Sequence, residues 1–287
     1  MSKLIIGCGY LGGHVARRWR SEGHTVTAVT RSRQRAEQFE REGLRPIVAD
    51  ITRPETLVGL PSAETALFAV GYDRRSGRSR RDVCVEGLRA VLGALPPQTG
   101  RIITISSTGV YGQTDGRWVD EDSPCRPLRE AGKVLLAAEQ LLADHALGDR
   151  GVVLRLAGIY GPGRLLRKAD LLAGNPIPAP KNRYLNLIHV DDATAAVLAA
   201  AERARPPRTY LVSDGHPVDR RACFTRLAEL LSAPPPRFFE PTPDALAAHH
   251  AGSNKRVSNA RLLSELGVRL SYPTCGEGFA AAVKADS

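Results

Sequence analysis

Short apolar segments alternate with helical patterns along the first half of the chain. The apolar segments have strand length and lie at 4–6, 25–29, 46–48, 65–70, 102–105 and 152–156. Helical patterns separate them at 11–22, 35–42, 82–95 and 133–145. Such alternation produces βαβ units, in which parallel strands form one sheet with helices on both faces. The sequence therefore predicts an α/β fold, a doubly wound parallel sheet of the Rossmann type.

The regular alternation of strand and helix patterns ends after the glycine-rich turn at 161–163. Later prolines, at 176, 178, 180, 234–236, 241 and 243, mark loops and short elements. We expect residues 1–163 to form the Rossmann domain, with a segment around 186–214 returning to it. Residues 164–287 are expected to form mostly a smaller C-terminal lobe, which would bind the substrate.

The net charge of +10 raises the question of nucleic-acid binding. Only 74–81 is dense in basic residues, with five arginines in eight positions. Basic surfaces that follow phosphates usually carry interleaved aromatic residues, and this segment has none. We therefore expect no nucleic-acid partner. The segment is interpreted either as solvated surface or as a contact for an anionic small molecule.

The five cysteines are scattered and never spaced Cys-x-x-Cys. This pattern is typical of a reducing compartment, and it argues against a disulfide framework or a zinc site. A strand begins at once after the first residues, which leaves no room for a signal peptide. No apolar run approaches the ~18 residues of a membrane span. We expect a cytoplasmic protein without a metal site or a membrane partner.

The first strand is followed by a glycine-rich turn, Gly7-Cys-Gly9-Tyr10-Leu11-Gly12, which opens a helix. Glycines at this spacing allow a tight turn, close approach of a pyrophosphate and close packing of the helix on the strand. The helix N-terminus then offers N–H groups and a positive dipole end to phosphates. Five residues of this turn are predicted to bind a dinucleotide, namely Gly7, Gly9, Tyr10, Leu11 and Gly12.

Residues after the second, third and fourth strands are expected to line the same site. Asp50 and Ile51 follow the third strand, and Val70 ends the fourth. Asp50 is predicted to hydrogen-bond the adenine, although an ordinary turn aspartate has the same pattern. An NAD site places a carboxylate about 20 residues beyond the glycines. No acidic residue lies between positions 22 and 37, and the second strand ends instead at Arg31 and Arg33.

Guanidinium groups at that point suit a 2′-phosphate, because they form charge-assisted and often bidentate hydrogen bonds with it. The predicted cofactor is therefore NADP(H). NAD stays possible, since both arginines would also be acceptable as exposed surface charges.

The segment 105–112 reads Ile-Ser-Ser-Thr-Gly-Val-Tyr-Gly, and no tyrosine follows it until Tyr160. An apolar strand that ends in hydroxyl residues places them at the sheet edge where α/β folds bind ligands. Five segments together resemble the extended short-chain dehydrogenase/reductases: the glycine turn, 49–51, 105–112, 155–163 and 188–192. These proteins form the NAD-dependent epimerase/dehydratase family, and the similarity is strongest to its atypical YeeZ-like branch, which also lacks the usual tyrosine.

The resemblance assigns three catalytic residues. Ser107 matches the residue that hydrogen-bonds the reacting oxygen, and Tyr111 ends the same motif, where it either lines the cleft or packs in the core. Lys133 matches the lysine that binds the nicotinamide ribose, unless it is a solvated helix charge. A second alignment, anchored on Glu139, puts Leu135 at the lysine position. Neither alignment yields the tyrosine.

Three functions follow from the resemblance. The first is an NADP(H)-dependent oxidoreductase acting on a carbonyl or alcohol, with Tyr111, Lys133, water or a substrate group as the proton donor. The second is an epimerase or dehydratase that retains its cofactor, and the third is a non-catalytic dinucleotide-binding protein. Gly158 and Cys84 replace asparagines that sugar-nucleotide members carry, so a nucleotide sugar is not the expected substrate.

The resemblance also bears on partners and on one acidic cluster. The family often pairs through the helices predicted at 82–95 and 133–145, which allows a homodimer, although their apolar stripes equally suit the monomer's core. His189, Asp191 and Asp192 are interpreted as structural rather than catalytic. Asp192 is expected to be the N-cap of a helix that starts at Ala193. The remaining expected partner is a small-molecule substrate, which would be anionic if the arginine segment at 74–81 contacts it.

Overall fold

The computed structural model describes residues 1–242 and 253–286. Pro243, one of the prolines predicted to mark a loop, lies outside the described residues. The strands are β1 (Ser2–Ile6), β2 (Thr25–Thr30), β3 (Arg45–Val48), β4 (Thr65–Phe68), β5 (Arg101–Ser107), β6 (Trp118–Val119), β7 (Gly151–Leu156), β8 (Gly158–Tyr160), β9 (Ile177–Pro178), β10 (Tyr184–Leu185), β11 (Leu187–His189), β12 (Arg208–Val212), β13 (Val218–Asp219), β14 (Phe238–Phe239) and β15 (Arg256–Val257). The α-helices are α1 (Tyr10–Ser21), α2 (Arg33–Arg41), α3 (Gly87–Ala94), α4 (Glu130–Ala143), α5 (Lys168–Leu172), α6 (Val190–Arg203), α7 (Arg220–Leu230), α8 (Ala260–Leu266) and α9 (Cys275–Ala285).

Seven strands form the main sheet, in the order β3-β2-β1-β4-β5-β7-β12. Strand β1 pairs in parallel with β2 on one side and with β4 on the other. The chain therefore builds the sheet outward from β1 in one direction and then returns to continue in the other. This reversal is the topological switch point, outside which α/β folds bind their ligands at the carboxyl ends of the strands. The predicted Rossmann-type α/β fold is confirmed.

Burial explains why the sheet strands read as continuous apolar runs. All residues of β4 and β7 are buried, as are four of the five in β1. Parallel strands covered by helices on both faces lose the alternation of apolar and polar residues that half-exposed strands show. The predicted helices at 11–22, 35–42 and 133–145 occur as α1, α2 and α4, with ends displaced by one to three residues. The pattern at 82–95 is a π-helical turn, Asp82–Glu86, followed by α3.

The chain divides into two compact units. The first contains residues 1–107, 130–155 and 194–210, and the second contains 108–129, 156–193 and 211–287. The sequence placed the boundary at residue 163, so segments 108–129 and 156–163 belong to the other unit than expected. Only 194–210 of the expected return segment joins the first unit. The expected boundary differs from the observed one because proline spacing indicates where loops lie but not which loops pack together.

An apolar core of the first unit lies between residues of its sheet and its helices. It includes Leu4 and Ile6 of β1, and residues of α3 and of the π-helical turn before it. The stripe residues Val83, Leu88, Val91 and Leu92 are all buried in this core. Leu142 of α4 joins them, and Leu135 and Leu141 pack against the core while remaining partly exposed. The apolar stripes of these two segments therefore serve the unit's own core.

The second unit has a separate core that includes Tyr160, Leu227 and Phe279. Gly278 is required there, because a Cβ at that position would lie 2.0 Å from the Tyr160 hydroxyl.

The prediction that Asp192 is a helix N-cap is wrong. Helix α6 begins at Val190, so Asp192 lies in its first turn instead of capping it. Its carboxylate accepts hydrogen bonds from the backbone N–H groups of Ser271 (2.7 Å) and Tyr272 (3.0 Å).

Two absences hold for the described part of the chain. No helix within it is long and apolar enough to cross a membrane. Nor does it contain a group of three or more His, Cys, Asp or Glu side chains arranged to hold a metal ion.

Candidate functional site

A cavity of about 920 Å³ opens in the first unit, at the carboxyl ends of β1 and β2. The turn after β1, the end of β2, the turn after β3 and the segment after β4 all contribute to its wall. Residues predicted to bind the cofactor that line it are Gly7, Gly9, Tyr10, Arg31, Asp50, Ile51 and Val70. The topological switch point and the glycine turn therefore form one site.

The three glycines of the turn have distinct roles. Gly7 has φ +97°, and a Cβ there would lie 2.7 Å from the backbone of Val70. A Cβ at Gly12 would lie 2.2 Å from the Gly7 carbonyl oxygen, so Gly12 lets α1 pack closely on the turn. Gly9 differs, because a Cβ there would meet nothing within 4 Å in the described residues. The space beside Gly9 is thus open to a ligand that approaches the backbone.

Helix α1 directs its N-terminus at this cavity. Gly9 is the N-cap residue and has no side chain with which to satisfy the first N–H groups of the helix. Those groups and the positive end of the helix dipole favour an anion such as a pyrophosphate. Tyr10 and His14 stack edge to face with ring centroids 5.3 Å apart, and both line the cavity.

The cavity wall is rich in arginine. Four arginines and two aspartates contribute to it, namely Arg17, Arg31, Arg35, Arg75, Asp50 and Asp73. Arg31 lies at the end of β2, where an NAD site would place a carboxylate. Arg75 belongs to the dense arginine segment at 74–81, so that segment contributes to the cavity wall as well as to the solvated surface.

Arg35 is held in place by two contacts. Its Nη2 donates a hydrogen bond to the carbonyl oxygen of Cys8 (2.8 Å), and its guanidinium lies 5.4 Å from the centre of the Phe39 ring. The carbonyl bond connects α2 to the glycine turn. The sequence analysis missed Arg35, although its position within the first turn of a helix that starts beside Arg31 was a usable signal.

Asp50 is an ionised hydrogen-bond acceptor. Its partial burial tends to raise the pKa, but hydrogen bonds from the Thr52 backbone and hydroxyl, with the charges of Arg31 and Arg53, outweigh this and lower it. Both Thr52 groups lie 2.9 Å from Asp50 Oδ1. A carboxylate in this state suits an amino-group donor, such as that of adenine.

Three residues predicted to bind the cofactor lie outside the cavity wall, namely Leu11, Gly12 and Arg33. Leu11 is only 8% exposed and faces the core side of α1. Arg33 is exposed on the first turn of α2, two residues from Arg35, and positions two apart on a helix point in nearly opposite directions. Gly12 contributes through packing, as described above.

The end of β5 contains two serines with different surroundings. The Ser106 hydroxyl donates a hydrogen bond to Glu139 of α4, which also pairs with Arg155 of β7 at 2.6 Å. Glu139 and Arg155 are 8% and 7% exposed, so this is a buried charge network. Ser107 is half-buried, and since neighbouring side chains alternate across a strand, it points to the opposite face of β5.

The other two predicted catalytic residues lie in different surroundings. Lys133 is exposed on α4 in the first unit. Tyr111 belongs to the second unit and is 1% exposed, which favours the packing alternative for its ring. Its carbonyl oxygen accepts a hydrogen bond from Lys255 Nζ (3.0 Å), a buried lysine that the sequence analysis did not single out. Burial lowers the pKa of Lys255 to about 8.

Comparison with known proteins places this site in a family. Residues 4–213 match the NAD dependent epimerase/dehydratase family. The chain belongs to that family. As a member of the epimerase/dehydratase family it is an NAD(P)-dependent enzyme, of the oxidoreductase type.

Individual relatives cover nearly the whole chain. Protein YeeZ of Escherichia coli K12 is 29% identical over 276 residues, covering 94% of this chain and 95% of the relative. The 3-diazoavenalumate denitrifying reductase of a Streptomyces species is 27% identical, covering 97% and 99%. A solved structure of a putative NAD-dependent epimerase/dehydratase from Methylobacillus flagellatus is 34% identical, with a TM-score of 0.78 over 99% of this chain and 98% of that one. The predicted family and its YeeZ-like branch are confirmed.

Proposed function

We propose that this epimerase/dehydratase family member is an NADP(H)-dependent reductase that acts on the carbonyl group of a small molecule, or on the corresponding alcohol in reverse. The observation that carries the proposal is the cavity wall beside β2. Arg31 and Arg35 line it there, and no carboxylate lies at the end of that strand.

The residues of the cavity fit a phosphorylated dinucleotide. The open space at Gly9 and the N-terminus of α1 suit the pyrophosphate. Arg31 and Arg35 suit a 2′-phosphate, since guanidinium groups form bidentate, charge-assisted hydrogen bonds with phosphates. Arg35 is already ordered by its bond to the Cys8 carbonyl, so less conformational entropy is lost when a phosphate binds.

The bound cofactor would supply a hydride donor or acceptor. Ser107 would hydrogen-bond the substrate oxygen and orient the carbonyl, because Ser106 is committed to the buried pair of Glu139 and Arg155. Lys133 would bind the nicotinamide ribose, as the resemblance implies.

The chain has no tyrosine from residue 112 to residue 159, so the reacting oxygen needs another proton source. General acid–base help is typically worth 10²–10⁴-fold, about 3–5 kcal/mol. Positioning the reactants contributes on the order of 7–11 kcal/mol. Hydride transfer therefore proceeds without the tyrosine, more slowly, with water or a substrate group donating the proton. The relative named as a reductase supports this choice over an epimerase.

Calorimetric titration of the cofactor-stripped protein with NADPH and NADH tests the cofactor. We expect NADPH to bind at least tenfold more tightly. Arg31→Ala should weaken NADPH binding by roughly 10- to 100-fold, the 1.5–3 kcal/mol of hydrogen bonds to a charged group, and leave NADH unchanged. Arg41→Ala is the matched control, since Arg41 is an exposed arginine outside the cavity wall. Equal or tighter binding of NADH would contradict the proposal.

Turnover is tested by following NADPH oxidation against a panel of aldehydes, ketones and quinones. A carbonyl compound that is reduced should show a kcat/KM at least tenfold lower with Ser107→Ala, while NADPH affinity is unchanged. Binding of NADPH without net oxidation by any of them would instead support an epimerase that returns its hydride, or a non-catalytic binding protein.

A further inference from the structure

Two of the five cysteines lie together in the second unit. Cys223 is in the first turn of α7, and Cys275 is the first residue of α9. The two helices pack against each other; Cys223 belongs to the apolar core of that unit, and Cys275 is partly buried and packs against this core. Where these helices pack, the two side chains lie close enough for each thiol to be the first cause of the other's pKa shift. Distant in sequence, the pair shows no Cys-x-x-Cys spacing.

The two thiols differ in their exposure. Cys223 is 1% exposed, whereas Cys275 is half-buried. The hydrogen bond from Cys223 lowers the pKa of Cys275, although burial and the nearby Asp214 act in the opposite direction. Cys275 also lies at a helix N-terminus, which stabilises a thiolate. The same hydrogen bond, with burial, raises the pKa of Cys223, which therefore stays a thiol.

We propose that Cys223 and Cys275 form a redox-active dithiol, in which peroxide oxidises Cys275 and Cys223 closes a disulfide between α7 and α9. In the first step the Cys275 thiolate attacks one peroxide oxygen, the O–O bond breaks, and the products are a sulfenic acid and hydroxide. In the second step the Cys223 sulfur attacks the sulfenic sulfur, the S–O bond breaks, and water leaves with the Cys223 proton. The peroxide is reduced by two electrons and the thiol pair is oxidised by two.

The chain offers an internal comparison. Cys125 is half-buried like Cys275, and its thiol donates to the carbonyl oxygen of Ser123, which lies 3.9 Å away. Cys8 and Cys84 are buried, and burial raises the pKa of both thiols. Exposure alone therefore predicts equal oxidation of Cys125 and Cys275, whereas the dithiol predicts selective loss of Cys223 and Cys275 together.

The test is peroxide treatment of the reduced, full-length protein, followed by alkylation of the remaining thiols and peptide mass spectrometry. We expect two of the five thiols to disappear together, with a cross-linked peptide joining Cys223 to Cys275 that a dithiol reductant cleaves. Cys125→Ser should leave the cross-link unchanged. With Cys223→Ser, Cys275 should stop at a sulfenic acid that a dimedone probe traps.

The cross-link measured in the wild-type protein tests the proposed disulfide even if a cysteine variant does not fold. Oxidation of Cys275 without a cross-link to Cys223 would overturn the proposal. So would loss of Cys125 at the same rate as Cys275. This test needs no cofactor or substrate, so its outcome is independent of the proposed reductase activity.

Discussion

Gly7 and Gly9 lie two residues apart in the turn after β1, yet the same substitution should affect them differently. Gly7→Ala places a Cβ on a residue with φ +97° and 2.7 Å from the Val70 backbone. We expect it to lower the free energy of unfolding by about 1–3 kcal/mol or more. Urea denaturation followed by circular dichroism measures this loss.

Gly9→Ala should lower stability less than Gly7→Ala, because the added Cβ enters open space among the described residues. We expect NADPH affinity to fall at least tenfold, about 1.4 kcal/mol, since the Cβ occupies the approach of the pyrophosphate. Calorimetric titration measures it. A Gly9→Ala protein that binds as tightly as the wild type would show that the dinucleotide does not lie against this turn.

Asp214 should make stability depend on pH. Burial raises its pKa to about 7, although a hydrogen bond from the His216 N–H and the charge of His216 act in the opposite direction. Among the described residues its Oδ2 has no hydrogen-bond partner. In the unfolded chain the pKa is about 4, so between pH 4 and pH 7 the folded state holds a proton that the unfolded state has lost. The contribution of Asp214 to stability therefore falls as the pH rises through this window.

Asp214→Asn mimics the protonated carboxyl group and removes that dependence. We expect it to raise the free energy of unfolding at pH 8, by up to about 4 kcal/mol, and to leave it nearly unchanged at pH 4. Urea denaturation across this range measures the difference, with the exposed Asp149→Asn as the control. An equal effect of Asp214→Asn at both pH values would mean that the carboxyl group titrates normally in the folded protein.

At the scale of elements, one buried ion pair connects α4 to the sheet. Glu139 of α4 pairs with Arg155 of β7, and both side chains are less than a tenth exposed. Glu139→Gln leaves a buried guanidinium without its counter-charge, so we expect a loss of about 3–5 kcal/mol of stability. Glu22→Gln, which removes the exposed Arg18 pair on α1, should cost less than about 1 kcal/mol. Comparable losses from the two variants in urea denaturation would contradict the buried-pair argument.

The apolar stripes of α3 and α4 also belong to this scale. The large apolar residues of α3 lie in the core of the first unit, whereas Leu135 and Leu141 of α4 pack against that core and stay partly exposed. The homodimer that the resemblance allows would therefore depend on the partly exposed residues of α4. We expect sedimentation velocity to give a monomer whose mass does not change with concentration. A dimer in sedimentation velocity would instead support the homodimer that the resemblance implies.

At the scale of the whole molecule, NADPH binding should raise the free energy of unfolding. NADPH at a hundredfold its Kd is expected to stabilise the folded protein by about 2.7 kcal/mol, because only the folded state binds it. Hydrogen exchange measured by mass spectrometry should slow at 7–12 and around 73–76, the cavity segments before α1 and after β4. NADH at the same concentration should protect these segments less, and unchanged exchange with NADPH would contradict the site.

The sequence by itself determined the sheet and the glycine turn, because both depend on local patterns. Strand-length apolar runs between helical patterns are typical of βαβ units, and glycines at 7, 9 and 12 follow a strand and open a helix, as in dinucleotide-binding turns. It also determined that Arg31 stands where an acidic residue is usual, since that position follows directly from strand length. Seven of the ten predicted cofactor residues line the cavity, because each follows or ends a strand whose position the sequence pattern indicates.

Only the tertiary structure decided which residues from distant segments meet. Arg75 joins Arg31 at one cavity, and Arg35 bonds the Cys8 carbonyl. Ser106 turns to Glu139 and leaves Ser107 on the other face of β5, and Cys223 lies beside Cys275. Asp192 binds the backbone of residues 271 and 272 rather than capping its own helix. These pairings depend on how helices and loops pack across many tens of residues. No local periodicity reports such packing, because it is set by the burial of apolar surface over a whole unit.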